Sequence, residues 1–194
     1  MLAFLRGINV GGNKLIPMAE LRALASGLGF GDVETFIQSG NLIFTTTLAP
    51  PAVEMALERA IAKKFGFTVD VVARTAAQWQ RYAAGVPFPD AASARPHLLL
   101  LGLAKAAVRA EASEALGPYA KAGERIHASD DCLWIDYNAG VARSKLSPAV
   151  LDRAAGSTVT ARNWRTVQKL TELVAARAGA AATAAAAAKK KEPR

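Results

Sequence analysis

The sequence predicts an α+β chain in which one order of elements, β-α-β-β-α-β, occurs twice. Three observations predict it. Short apolar runs alternate with stretches whose apolar residues recur at helical spacing. Gly, Ser, Asn and Asp mark the turns between them. A segment rich in proline and small residues, Pro87 to Pro96, divides the chain near its middle.

In the first half, Leu2–Ile8 reads as a strand. Met18, Leu21, Leu24, Ala25 and Leu28 define a helix, with Pro17 suited to its first position and Gly29 and Gly31 to its end. Val33–Gln38 and Asn41–Thr46 are β-rich runs around Ser39-Gly40, which predicts a tight hairpin. After Pro50-Pro51, the repeat of Val53, Leu57, Ile61 and Phe65 gives a second amphipathic helix. Thr68–Arg74 closes the set as a strand, and Thr75–Ala84 adds a short helix.

The second half repeats the order. His97–Leu103 is an apolar strand. Lys105–Leu116 is helical, with Val108, Ala112 and Ala115 on one face. Arg125–Ala128 and Cys132–Tyr137 flank Ser129-Asp130-Asp131 as a hairpin. Ser147-Pro148 starts a helix that Gly156 ends. Thr158–Arg162 is the last strand, and Asn163 caps a helix from Trp164 to Arg177. This order suits two tandem ferredoxin-like (βαββαβ) halves with antiparallel sheets and helices on one face. The expected boundaries are 1–86, a linker at 87–96, 97–178 with the C-terminal helix, and a disordered alanine-rich tail at 179–194. No residue-level repeat relates the halves; the repetition lies in the order of elements.

Composition narrows the partners. The chain has 194 residues, 52% of them hydrophobic, enough for one large domain or two small lobes. No apolar run reaches the ~18 residues of a membrane span, and Arg6 and Asn9 interrupt the first apolar stretch too early for a signal peptide. Cys132 is the single cysteine, which fits a cytoplasmic protein without internal disulfides. His97 and His127 lie far apart, so no metal-ligand spacing exists and no cofactor is expected. The formal charge is +8. The tail from Gly179 supplies +3 and the segment Tyr137 to Ala178 another +5, leaving the remainder neutral. Such concentration points to an anionic partner.

The candidate site follows from topology. The polar run Arg6 to Lys14 follows the first strand, and Gln38, Ser39, Gly40 and Asn41 form the hairpin at the same end of the sheet. Arg6, Asn9, Gly11, Gly12, Lys14, Gln38, Ser39 and Asn41 therefore share one edge. In the second half, Arg143, Ser144 and Lys145 share an edge with Arg162 and Asn163. Arginine forks suit phosphate or carboxylate, glycines let backbone donors approach an anion, and Asn and Gln read a base or amide edge. The Gly7–Lys14 run is neither a Walker loop nor a G-x-G-x-x-G fingerprint, because Asn13 precedes the lysine and Leu15 stands where a hydroxyl is needed. Gly11-Gly12 and Ser39-Gly40 also read as plain turns, Asn163 as a helix cap, and Arg6 and Arg162 as halves of ion pairs. Phe4 and Phe44 fall where RNA-recognition folds place stacking aromatics, but their flanks differ and core packing is the better reading.

Three segments together resemble a bacterial family, the domain of unknown function 1697. They are Arg6-Gly-Ile-Asn-Val-Gly-Gly12 running into Pro17–Arg22, Thr35-Phe-Ile-Gln-Ser-Gly-Asn41 with Phe44, and Ser144-Lys-Leu146 with Thr160-Ala-Arg-Asn-Trp164 and Thr166. The resemblance spans roughly residues 1 to 177 and implies two ferredoxin-like halves but no activity. It makes the basic tail an addition of this chain. Three functions follow as expectations. The first is an anion-binding protein that recognises nucleic acid or a nucleotide. The second is an enzyme acting on a phosphorylated or carboxylated small molecule. The third is a structural or partner-binding protein whose motif residues hold the halves together.

Overall fold

The computed structural model describes residues 1–138 and 140–189, with side chains as far as residue 180. The first half contains β1 (Leu2–Leu5), α1 (Met18–Gly27), β2 (Gly31–Phe36), β3 (Asn41–Thr45), α2 (Pro50–Phe65) and β4 (Val71–Arg74). Then come α3 (Ala76–Ala84) and α4 (Pro89–Ala94). The second half contains β5 (Leu99–Ala104), α5 (Ala112–Leu116), β6 (Arg125–Ser129), β7 (Cys132–Asp136), α6 (Pro148–Ala155), β8 (Val159–Asn163) and α7 (Trp164–Lys189). The strands form two four-stranded antiparallel sheets, ordered β2-β3-β1-β4 and β6-β7-β5-β8.

Both faces of each sheet are buried, which is why β1, β4, β5 and β7 read as continuous apolar runs. Ala3, Leu5, Leu42 and Phe44 pack on Leu21, Val53, Leu57 and Ile61 of α1 and α2. Leu133 and Ile135 pack on Leu116, Leu151 and Ala155 of α5 and α6. The opposite faces share one core. Leu2, Phe4, Ile43 and Val72 of the first sheet meet Leu99, Leu101, Leu103 and Trp134 of the second, with Trp79, Tyr82, Trp164, Val167 and Leu170 among them. Phe4 stacks on Trp79 at 5.0 Å between centroids. Phe4 and Phe44 are therefore core residues.

Several boundaries depart from expectation for local reasons. The first strand ends at Leu5 rather than Ile8, because Gly7 turns the backbone to φ +62°. The expected helix at 105–116 shrinks to Ala112–Leu116. The backbone N–H groups of Lys105, Val108 and Arg109 donate to Thr158, Asp130 and Ala155, so they cannot build a helical ladder there. The linker 87–96 contains α4, with Pro89 at its start and Ala91 buried in the shared core. Arg95, which follows it, donates to the fully buried Asp136, as does Arg125. The last helix runs from Trp164 to Lys189, past its expected end at Arg177, in keeping with alanine's high helix propensity. Residues 190–194 of the expected disordered tail lie outside the described residues.

Candidate inter-half site

The polar run after β1 folds as a miniature hairpin. Asn9 N–H donates to Lys14 O at 3.3 Å and Asn13 N–H to Val10 O at 3.1 Å. Gly11 and Gly12 close it at φ +59° and +77°, the sign pattern of a type I′ turn. Its glycines thus serve a turn, one of the two readings the sequence offers for them. Asn9 is a strut: Nδ2 donates to Gln38 O at 2.8 Å and Ile16 O at 3.1 Å, while Oδ1 accepts from Ile16 N–H at 2.9 Å. Lys14 Nζ donates to Thr68 O at 2.8 Å. On the facing hairpin, Asn41 Nδ2 donates to Phe36 O and Ser39 Oγ. A Cβ on Gly40 would lie 2.8 Å from both Leu5 Cβ and Ile8 Cδ1, so the β2–β3 turn must carry glycine to seat against β1. The two polar segments of the first half do meet, chiefly through Asn9 and the Gln38 carbonyl.

Arg162 joins the halves. It enters from β8 and is 8% exposed. Nε donates to Asn41 Oδ1, and Nη2 donates to Leu5 O and Ser39 O, each at 3.0 Å. Nη1 donates to Thr160 Oγ1 at 3.0 Å and Ala161 O at 2.8 Å. All five guanidinium donors are occupied by protein acceptors, and the group lies 5.4 Å over the Phe4 ring. Burial pushes its pKa down to about 10, still well above neutrality. Arg6 crosses the other way and pairs with Asp152 of α6 at 2.8 Å. Asp152 Oδ1 in turn accepts from Val159 N–H at the start of β8. Arg162 thus has no donor left over, whereas Arg6 makes one ion pair and also lines a cleft between the halves.

The remaining candidates divide. Asn163 caps α7 by accepting from Thr166 N–H at 3.0 Å. Ser144 Oγ donates to Glu124 and accepts from Leu146 N–H. Arg143 and Lys145 are exposed, and among the described residues their side chains make no hydrogen bond or ion pair. They lie just upstream of Pro148. That proline lines an inter-half cleft of about 310 Å3 with Arg6, Gly7, Val10, Ser39 and Arg162. The two predicted edges therefore converge through Arg162, whereas Arg143 and Lys145 lie outside that lining.

A mirrored set of contacts escaped the sequence reading. Arg74, at the end of β4, is 5% exposed and enters the second half. Its Nη2 donates to Ala104 O and Asp131 O, Nη1 to Ala73 O, and Nε to Tyr82 Oη. Lys105, just after β5, pairs with Glu58 of α2, which accepts from Val71 N–H at the start of β4. Arg74 answers Arg162, and Lys105 with Glu58 answers Arg6 with Asp152. Thr75 caps α3 as Asn163 caps α7. This corrects the absence of a residue-level repeat: Val71-Val-Ala-Arg-Thr75 matches Val159-Thr-Ala-Arg-Asn163. Aligning the strand that ends each βαββαβ set would have found it.

Fold and site together define a two-lobed α/β protein clasped by reciprocal cations. The chain belongs to the protein family of unknown function DUF1697, whose model matches residues 1–134. No curated protein matches it. A solved structure, that of conserved bacterial protein SP0830 from Streptococcus pneumoniae, is similar in fold: TM-score 0.68, 20% identity, covering 89% of this chain and 97% of that one. No helix among the described residues is long and apolar enough to cross a membrane.

Proposed function

We propose that the chain is a two-lobed binding protein without catalytic machinery at its motif, each lobe a ferredoxin-like unit. The motif residues Arg6, Asn41 and Arg162 fasten the lobes. An anionic partner, a nucleic acid or nucleotide, meets the unpaired cations just upstream of α6, Arg143 and Lys145. The observation that carries this reading is the saturation of Arg162 by five internal acceptors, with Arg6 held by Asp152. Arg162, with all five donors engaged, cannot also stabilise charge on a substrate, which weighs against an enzyme of phosphorylated or carboxylated molecules. The strand orders β2-β3-β1-β4 and β6-β7-β5-β8 support the ferredoxin-like assignment.

The test measures binding of a labelled single-stranded RNA across a salt series beside thermal stability. Replacing both Arg143 and Lys145 by alanine is expected to weaken binding and flatten the salt dependence, by about 1.4 on a log–log plot, with unchanged melting. Arg162→Ala is expected to lower the melting temperature. A stable Arg162→Ala protein that no longer binds would return Arg162 to the ligand site. No binding of RNA or nucleotide at low salt would remove the anionic partner.

A further inference from the structure

A second cleft differs from the inter-half cleft in one respect: apart from Asp131, its charged side chains are not used up. It lies between α3 and the β6–β7 hairpin, has a volume of about 500 Å3, and is lined by Arg81, Tyr82, His127, Asp130, Asp131 and Trp134 among others. Arg81 comes from α3, His127 from β6 and Asp130 from the hairpin tip. All three are exposed, and among the described residues their side chains make no hydrogen bond or ion pair. Arg81 and Asp130 bear opposite charge without pairing with each other, so the cleft has a cationic wall and an anionic wall. Its floor is fixed. Trp134 is buried in the shared core, and the Tyr82 hydroxyl accepts from Arg74 Nε at 2.8 Å while donating to Asp131 Oδ2. Such a floor loses little freedom on binding.

We propose that this cleft binds a small zwitterion with an apolar body, of the aromatic α-amino acid kind. Arg81 and His127 face its carboxylate, Asp130 faces its ammonium group, and the body lies toward Tyr82 and Trp134. The volume lies within the range of small-molecule sites, about 300–1,000 Å3. Two separated, unpaired charges of opposite sign select against ligands that carry only one, because the second charged wall would then lose water without gaining a partner.

The test titrates the full isotope-labelled chain with L-phenylalanine and follows backbone amide shifts. Phenethylamine and 3-phenylpropionate, which each carry one of the two charges, are the controls. Phenylalanine is expected to shift amides near Arg81, Gly85, His127 and Ser129–Cys132. Both controls are expected to bind about tenfold more weakly, or less well still. Arg81→Gln and Asp130→Asn are expected to weaken phenylalanine about tenfold each while melting stays unchanged, since both side chains are exposed. Three results would each overturn the proposal: no localised shifts at millimolar phenylalanine, equal binding of a singly charged control, or affinity unaltered by both variants.

Discussion

Arg162 and Arg74 carry the inter-half contact at the residue scale. A buried guanidinium is tolerated only where acceptors replace its water, and Arg162 has five of them. Truncating it strands Leu5 O, Ser39 O and Asn41 Oδ1. Arg162→Ala is therefore expected to destabilise the chain by about 3 kcal/mol or more in urea unfolding. Arg162→Lys should rescue little, because an ammonium point charge cannot fill five fixed directions. Asp136 supplies a pH test. Burial alone would raise its pKa, but Arg95 and then Arg125 hold the carboxyl below its ordinary 3.8. A lowered acid stabilises the fold above its unfolded pKa and loses that contribution as pH falls through its folded one. Asp136→Asn should thus be less stable than the parent at pH 6, with the gap closing as pH drops below 3.8. Arg6 and Arg162 are legible as strand-end cations; of the ion pairs that could explain them, Arg6 forms one with Asp152, whereas Arg162 meets only neutral acceptors. Arg74 is legible only through the Val-x-Ala-Arg match with Arg162, since no polar motif surrounds it and its burial is imposed by the second half.

The elements show where local rules met tertiary ones. Ser39-Gly40 predicts a tight hairpin, but the turn is wider, the four residues 37–40 between Phe36 and Asn41, and its glycine is fixed by contact with Leu5 and Ile8. Gly40→Ala combines that overlap with φ +74° and is expected to cost about 2–4 kcal/mol in thermal or urea unfolding. On the same hairpin, Ile37 is a half-exposed β-branched residue at φ +51°. Ile37→Gly should stabilise by about 0.5–1 kcal/mol, as relief of left-handed strain outweighs the glycine's added chain entropy. A strained apolar residue kept at the edge facing the polar run fits a contact surface. The hydrophobic repeat that located α1 and α2 worked because each buries one face on its own sheet. It failed for 105–111, where the backbone donors are drawn to the hairpin and α6. It also placed α7 correctly at Trp164 but not its end, because alanine continues a helix without any periodic face.

For the whole molecule, the shared core makes the halves one folding unit. Trp79, Trp134 and Trp164 all sit in it, so their near-ultraviolet signal should vanish together with the helical far-ultraviolet signal in one transition. Two separated transitions would mean that the lobes are independent. The twofold order of elements was legible because patterning acts within each half. The clasp was not, because it depends on how two sheets meet, and only the Val-x-Ala-Arg repeat records it in the sequence. The most direct measurement is calorimetric melting of Arg162→Ala beside the parent chain. Fastening by Arg162 predicts one transition lowered by about 6–12 °C, or its division into two as the lobes uncouple. A single transition at the parent temperature would contradict the claim that the motif exists to join the halves.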